Sequence, residues 1–284
     1  MGQVRELDAG QVTAAVKTLC ITANYDLPKD VYEALCTARQ TEESPVGREV
    51  LGQLIENADI AARDRVPICQ DTGFAVVFAE VGQDVHLVGG DFAAAVDEGV
   101  RQGYEEGYLR KSVAEEPGHA RRNTRDNTPA ILHTTLVPGD RVRLTMMAKG
   151  GGAENMSSLA MLKPSQGWAG MVDAVVDTVS RAGSNPCPPV IIGVGIGGTI
   201  DEVTLLAKRA LLRDVGSTHP EARIAAMEDE LLERINALGI GPQGLGGRTT
   251  ALDVFIEEMP SHIASMPIAV NVQCHAQRHK TVEL

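Results

Sequence analysis

Apolar and polar side chains alternate at regular spacings along most of the chain, and these spacings predict both helices and strands. Residues 50–62 place apolar side chains three and four positions apart, which predicts an amphipathic helix. Residues 74–79 form a short continuous apolar run, typical of a strand covered on both faces. The same helical spacing predicts further helices over most of residues 1–40 and over 92–106, 165–181, 202–213 and 220–238.

Strands are predicted mainly in the second half of the chain. Residues 131–137 and 142–147 flank Pro138-Gly139-Asp140, and this pattern predicts an antiparallel hairpin over residues 131–147. Further strands are predicted near residues 190–192, 254–256 and 268–273. The pattern therefore predicts an α/β (mixed α+β) fold, with helices around a mixed or antiparallel sheet, in a single domain over residues 1–284.

Composition and charge narrow the classes of function. The chain has 284 residues, of which 43% are hydrophobic, so it can bury a substantial core. Its formal net charge of −12 opposes binding to nucleic acid or to an anionic membrane surface. The sequence has neither an apolar signal segment at its N-terminus nor a run of about 18 apolar residues, so we expect a cytoplasmic protein without a membrane span.

The loop between the predicted helix of residues 50–62 and the predicted strand of residues 74–79 carries the densest set of reactive groups. Residues 67–73 read Pro-Ile-Cys-Gln-Asp-Thr-Gly, which places a thiol, an amide, a carboxylate and a hydroxyl side by side. Polar groups at the mouth of a buried strand often have a functional role. The alternative is an ordinary turn in which Asp71 and Thr72 cap the backbone.

The five cysteines fall into two groups. An odd number of cysteines in a chain without a signal segment argues against disulfides. Cys20 and Cys36 lie in apolar periodic segments, as core cysteines do. Cys69, Cys187 and Cys274 lie in loops or at strand ends, and three thiolates can hold an iron–sulfur cluster with one iron left open. On spacing alone, three inert core cysteines are the favoured interpretation.

Glycine-rich stretches and histidines offer weaker candidates. Gly193, Gly195 and Gly198 match the dinucleotide-binding pattern in a predicted loop over 193–199, but helix packing explains them equally well. Residues 150–152 follow Lys149 and predict either an anion seat or a flexible exit from the hairpin. His275 and His279 could pair on a helical face, but a solvated tail is the favoured interpretation.

Five blocks of sequence together resemble one known family. They are residues 68–73, 109–112, 149–155, 185–189 and 193–199. In this order they resemble the α-type part of the class I iron–sulfur hydro-lyases, the family of fumarate hydratase and L-tartrate dehydratase. The likeness runs from about Asp64 to Cys274.

This resemblance implies an active site. It implies that Cys69, Cys187 and Cys274 hold a [4Fe–4S] cluster whose fourth iron binds the substrate. Residues matching positions that grip a dicarboxylate are Gln70, Asp71, Arg110, the backbone at Gly152, and His262, the last supplied by the second protomer of a dimer. Asp71 adjoins a cluster ligand and is a candidate catalytic acid or base, with His262 as the second candidate catalytic residue.

The resemblance also implies a partner. Single-chain members of the family continue into a second domain, whereas this sequence ends ten residues after Cys274. We therefore expect the α subunit of a two-chain hydro-lyase that requires a β subunit, in a dimer of αβ pairs. Fumarate hydration is the first expectation and L-tartrate dehydration the alternative. A nucleotide-binding oxidoreductase and a non-catalytic scaffold subunit are the rival hypotheses.

Overall fold

The computed structural model describes residues 4–284 and has a mixed α and β architecture, which confirms the predicted fold class. The first three residues of the segment predicted as mostly helical lie outside this range. The helices are α1 (Ala9–Tyr25), α2 (Lys29–Thr41), α3 (Pro45–Asp64), α4 (Phe92–Glu106), α5 (Gly151–Glu154), α6 (Gly167–Ala182), α7 (Ile200–Ala210) and α8 (Ala222–Asn236). The strands are β1 (Arg5–Asp8), β2 (Phe74–Gly82), β3 (Val85–Val88), β4 (Ile131–Val137), β5 (Val142–Lys149), β6 (Ser158–Leu162), β7 (Val190–Gly197), β8 (Ala251–Met259), β9 (Met266–Gln273) and β10 (His279–Glu283).

The chain divides into two compact units, and the backbone passes between them more than once. The first unit comprises the residues up to Pro28, Ala58–Gly151 and Arg278–Leu284. The second comprises Lys29–Asn57 and Gly152–Gln277. The single domain over residues 1–284 stays a prediction. No helix within residues 4–284 combines the length and the apolarity needed to cross a membrane.

The first unit is built on a four-stranded sheet in the order β10-β5-β2-β4. Strand β2 lies at its centre, and almost all of its side chains are buried, as the continuous apolar run predicts. Helices α1 and α4 contribute apolar side chains to the core of this unit, among them Val12, Val16 and Val100. Asp91 caps α4 and accepts a hydrogen bond from the backbone N–H of Ala94.

The predicted hairpin over residues 131–147 is wrong, although both of its strands exist. Strand β2 lies between them, parallel to β4 and antiparallel to β5. The physical reason is that a strand buried on both faces gains most from a neighbour on each side. The turn after β4 passes close to the end of β2, because Gly82 has no side chain there. A Cβ at Gly82 would lie only 2.4 Å from the carbonyl oxygen of Gly139.

The second unit is built on a sheet in the order β6-β9-β7-β8. Strand β7 is central, parallel to β8 and antiparallel to β9. Apolar side chains of α6 and α8, such as Val175 and Leu231, pack on one face. Helix α7 covers the opposite face, where Val203 and Ala207 contact Ala269.

The glycines at 193 and 195 lie in strand β7, so the predicted loop over residues 193–199 is wrong for its first part. A Cβ at Gly193 would lie 2.1 Å from the carbonyl oxygen of Ala207, and one at Gly195 would lie 2.3 Å from that of Val203. These glycines therefore allow the backbone of α7 to approach the strand directly. The packing interpretation explains them, and the phosphate-cradle interpretation does not apply to strand residues.

The end of the chain is also not a solvated tail. Ala276, Gln277 and Arg278 are buried. The following residues form β10, which pairs with β5 as an edge strand of the first sheet. The alternative, in which His275 and His279 pair on a helical face, does not apply either, because His279 starts this strand.

Candidate active site

The loop between α3 and β2, residues 65–73, carries three of the predicted site residues and is here named the Cys69 loop. Cys69 is partly buried, and its Sγ lies 3.4 Å from Oε1 of Gln70. The side chain of Gln70 is exposed, and Asp71 is partly exposed. All three side chains can therefore reach a ligand at the surface of the first unit.

Buried side chains hold the backbone of the Cys69 loop in place. The hydroxyl of Tyr104 donates to the carbonyl oxygens of Thr72 and Gly73, at 2.8 and 2.9 Å. Nδ2 of Asn127 donates to the same carbonyl of Gly73 at 3.1 Å. Burial raises the pKa of Tyr104 well above its ordinary value, so this hydroxyl keeps its proton and remains a donor. The apolar periodicity of α4 gives no sign of this role.

The carboxylate of Asp71 is oriented by two backbone N–H groups. Oδ1 accepts from Gly73 at 3.0 Å, and Oδ2 accepts from Gly151 at 2.8 Å. The carbonyl of Asp71 accepts from Nη1 of Arg278, which also donates to Oδ1 of Asn24 at 3.1 Å. Arg278 is only 1% exposed. This arginine is a supporting residue that sequence reasoning missed.

Arg110 follows α4 and presents an exposed side chain. Its carbonyl oxygen accepts a hydrogen bond from Oγ1 of Thr72 at 3.0 Å, which ties this segment to the Cys69 loop. Two residues on, the backbone N–H of Ser112 donates to Oδ1 of Asn127 at 2.7 Å. The first unit thus brings the segments of Cys69, Gln70, Asp71 and Arg110 together.

The second unit carries the other two candidate thiols and Gly152. Cys187 is exposed and lies in residues 183–189, here named the Cys187 loop. Its backbone is in the left-handed region with a φ of 56°, and its N–H donates to the carbonyl of Ser184 at 3.1 Å. Gly152 adjoins this loop, since a Cβ there would lie 3.6 Å from the carbonyl oxygen of Asn185.

Cys274 directly follows β9 and is partly buried. The end of β9 is tied to the segment after Gly152 by two contacts. Nδ2 of Asn271 donates to Oε2 of Glu154 at 3.2 Å, and the N–H of Val272 donates to Oγ of Ser157 at 3.1 Å. Oε1 of Glu154 also pairs with Nζ of Lys208 at 2.5 Å. Sequence reasoning missed this ion pair, because nothing in the spacing relates residues 154 and 208.

Two buried amides beside Cys274 have polar atoms without a partner. Gln273 is fully buried, and neither Oε1 nor Nε2 has a hydrogen-bond partner among the described residues. Oδ1 of Asn271 likewise has no hydrogen-bond partner among these residues. A buried amide without partners is unfavourable, so the approach to Cys274 contains polar groups that protein contacts alone do not satisfy.

His262 lies far from the other candidates of its unit. It occupies the exposed turn between β8 and β9, and its Nδ1 accepts from the N–H of Ala264 at 3.1 Å. Cys274 lies at the other end of β9, and an eight-residue strand spans about 26 Å. The second unit therefore brings the segments of Gly152, Cys187 and Cys274 together but leaves His262 apart from them.

The donor chemistry of the three candidate cysteines fits an iron–sulfur cluster. Cys187 is exposed, and Cys69 and Cys274 are partly accessible. Cys20 differs, because it is fully buried and its burial raises the pKa of its thiol far above the ordinary value. Within residues 4–284, no three or more His, Cys, Asp and Glu side chains are arranged to hold a single metal ion.

Comparison with known proteins agrees with the sequence motifs. The family model for fumarate hydratase (fumerase) matches residues 13–283. A putative L(+)-tartrate dehydratase subunit alpha of Methanocaldococcus jannaschii is 43% identical over 256 residues, covering 89% of this chain and 90% of the relative. The L(+)-tartrate dehydratase subunit alpha of Escherichia coli (strain UTI89 / UPEC) is 30% identical over 276 residues, covering 96% of this chain and 91% of the relative. The family match and the two relatives cover nearly the whole sequence, and the chain therefore belongs to the fumarate hydratase family of hydro-lyases.

Proposed function

We propose that the chain is the α subunit of an iron–sulfur hydro-lyase that removes water from a 2-hydroxy dicarboxylic acid, with L-tartrate as the favoured substrate. The observation that carries the proposal is the placement of three at least partly accessible cysteines in loops next to polar residues, in a chain of this family. The first expectation from the sequence was fumarate. Tartrate is better supported, because relatives at 43% and 30% identity are named L(+)-tartrate dehydratase subunit alpha.

Cys69, Cys187 and Cys274 would hold a [4Fe–4S] cluster. A cluster with three protein thiolates keeps one iron open, and when bound it supplies a Lewis acid for the hydroxyl and carboxylate of the substrate. Buried amide atoms of Asn271 and Gln273 have no hydrogen-bond partner within residues 4–284, which supports a polar group or ordered water near Cys274.

Asp71 is proposed to move the proton in this reaction. Backbone N–H groups of Gly73 and Gly151 fix the plane of its carboxylate, and Arg278 fixes its main chain. A carboxylate whose direction is set in advance reaches a substrate proton without the entropy loss of ordering a free side chain. The residue remains partly exposed, so a small acid can approach it.

Arg110, Gln70 and Gly152 are proposed to bind the two carboxylates of the substrate. The exposed guanidinium of Arg110 can form two parallel hydrogen bonds with one carboxylate. The amide of Gln70 and the backbone N–H of Gly152 are exposed donors for the second. These local donors attract a dianion to a protein whose net charge is −12.

His262 is proposed to act in the site of a second α subunit, in a dimer of αβ pairs. The support is its exposed position, about 26 Å along β9 from Cys274. A β subunit is proposed as the partner because the relatives are named subunit alpha. A cytoplasmic location is proposed because thiols that hold iron have to stay reduced, as they are in the cytosol.

A substrate panel tests the proposed function. The chain is co-expressed with the proposed β subunit without oxygen, and the complex is assayed with L-tartrate, L-malate and fumarate. We expect dehydration of L-tartrate to be the fastest reaction, and we expect C69S to abolish it. The matched control is C36S, because Cys36 is a partly buried cysteine outside the proposed site.

The outcomes separate the hypotheses. Faster turnover of L-malate or fumarate than of L-tartrate would return the substrate assignment to the fumarate hypothesis. Full activity of C69S would contradict the cluster assignment. A complex that acts on none of the acids tested would support the scaffold hypothesis.

A further inference from the structure

The Cys187 loop has an uncommon backbone geometry, which one bond within the loop, from the N–H of Cys187 to the carbonyl of Ser184, supports only in part. Cys187 has a φ of 56°, in the left-handed region that residues with a Cβ rarely occupy. Prolines at 186, 188 and 189 stiffen the loop and carry no N–H group, so Cys187 provides the only backbone donor of residues 186–189. Contacts from elsewhere in the second unit must therefore stabilise this conformation.

Two residues supply those contacts. Nδ1 of His275 lies 2.9 Å from the carbonyl oxygen of Cys187. Gln243 donates to the carbonyl oxygen of Pro188 twice, from its backbone N–H at 2.7 Å and from Nε2 at 2.9 Å. The two consecutive carbonyls of the Cys187 loop are thus both occupied by donors from other segments.

The chemistry of the carbonyl fixes the role of His275. A carbonyl oxygen only accepts, so the ring must carry its proton on Nδ1 to form this bond. Nε2 of Gln243 lies 3.3 Å from the same Nδ1 but has its own acceptor in Pro188. The pair therefore acts as two parallel donors to the Cys187 loop.

The position of His275 in the sequence explains why its bond to Cys187 matters for the candidate site. His275 directly follows Cys274, so its bond to Cys187 joins the two cysteine-bearing segments of the second unit. Gln243 is itself in the left-handed region with a φ of 51°, which indicates that its turn is shaped for this contact.

We propose that His275 and Gln243 are positioning residues that hold the Cys187 loop beside the Cys274 segment, so that two of the three thiols are arranged before iron binds. This inference rests on the proposed function for the purpose of the arrangement, but the hydrogen bonds themselves can be tested without a cluster. Residues that orient metal ligands typically change metal affinity by about 10–100-fold when they are removed.

The test compares H275A, H275N and the control H219A in the full chain. Asparagine places an N–H donor close to the position of Nδ1, so H275N should restore the bond to Cys187 that H275A removes. His219 is a histidine of the same unit whose Nδ1 accepts from Glu221, outside the proposed site. Q243A is a milder variant, because its backbone N–H still donates to Pro188.

Two readouts are measured for each variant. The first is the rate at which iodoacetamide alkylates Cys187 relative to Cys69 in the iron-free chain, followed by mass spectrometry of the peptides. The second is the rate at which a chelator bleaches the visible absorbance of the reconstituted cluster. For H275A we expect relative alkylation to change at least about threefold and bleaching to accelerate about tenfold, with H275N and H219A near the original protein and Q243A between.

The results distinguish this inference from the proposed function. Unchanged alkylation and bleaching in H275A would overturn the positioning role while leaving the cluster assignment intact. Changes in H275A that H275N does not reverse would also contradict it, since the donor would then not be the cause. If the original chain binds no cluster, the proposed function fails, and the alkylation rates alone decide whether His275 holds the loop.

Discussion

The loops that carry Cys69 and Cys187 are stabilised in different ways. In the first unit, buried donors from Tyr104, Asn127 and Arg278 occupy the carbonyls of the Cys69 loop. In the second unit, Cys187 has a left-handed backbone, and the buried amide of Gln273 has no partner among the described residues. The comparison indicates that buried donors of the protein preform the first loop, where Nε of Arg278 has no partner within residues 4–284. In the second unit both polar atoms of the Gln273 amide are in that state, which a bound group or water can relieve.

The largest expected effect comes from removing the buried arginine of the first unit. R278M leaves the carbonyl of Asp71 and the side chain of Asn24 without their donor, in a position that is 1% exposed. We expect a loss of about 3–5 kcal/mol in the free energy of unfolding, measured by urea titration, because each of these two acceptors loses a hydrogen bond to a charged donor, worth about 1.5–3 kcal/mol. The control R181M removes an exposed arginine and should change stability by less than about 0.5 kcal/mol. Equal losses of stability in R278M and R181M would contradict the claim that buried Arg278 stabilises the first unit.

The next largest effect concerns the buried carboxylate of Asp253 in the second unit, whose influence on the free energy of unfolding depends on pH. Burial raises the pKa of Asp253 to about 6, even though Gly216 and Val254 donate backbone hydrogen bonds to it. Since the folded pKa lies above the ordinary 3.8, the folded state favours the neutral form, and stability falls as the pH rises from about 4 to 6. The amide oxygen introduced by D253N can accept from only one of these two N–H groups, so we expect D253N to lose one bond at every pH but to gain up to about 3 kcal/mol on the original protein between pH 4 and pH 7. Thermal unfolding at pH 4 and 7 checks this, and an equal difference at both pH values would contradict it.

A smaller effect is expected from one hydroxyl of the first unit. Y104F removes the donor to the carbonyls of Thr72 and Gly73 but keeps the ring in the core. We expect a loss of about 1–2 kcal/mol, because a buried carbonyl is left unpaired. Urea unfolding checks this, with Y108F as the control, since Tyr108 is 89% exposed. A Y104F protein as stable as the control would mean that the Cys69 loop does not depend on the hydrogen bonds of the Tyr104 hydroxyl.

The smallest expected effect is a gain in the free energy of unfolding, in contrast to the loss expected for Y104F. Q273M replaces a buried amide without partners by an apolar side chain of similar length. We expect the iron-free chain to gain about 1 kcal/mol, because the desolvation of the amide is no longer required. Urea unfolding of the iron-free chain, with the exposed Q53M as control, measures the change. A clear loss of stability would show that Gln273 has favourable contacts in solution.

The fold could be predicted from sequence wherever periodicity determines structure. The helices α3, α4, α6 and α8 and the apolar strand β2 follow from the spacing of their apolar residues. Strand pairing did not follow, because residues 131–147 look like a hairpin locally while the best partner, β2, comes 50 residues earlier. Pairing depends on long-range burial, which a local pattern does not contain.

The candidate site shows the same division. Its reactive residues were found from motifs and family resemblance, since thiols and carboxylates in loops stand out in sequence. Their supports were missed, because Arg278 looks like part of a polar tail and Tyr104 like an ordinary core residue. Only the structure brings Arg278 to Asp71 across more than 200 positions of sequence.

The central claim is that Cys69, Cys187 and Cys274 bind one cluster, and the iron content of the reconstituted chain tests it most directly. Iron and acid-labile sulfide are measured per chain for the original protein, for C69S, C187S and C274S, and for the control C36S. We predict about four irons and four sulfides in the original protein and in C36S, with a marked loss in each of the other three variants. Full iron and sulfide content in any one of those three would contradict the account.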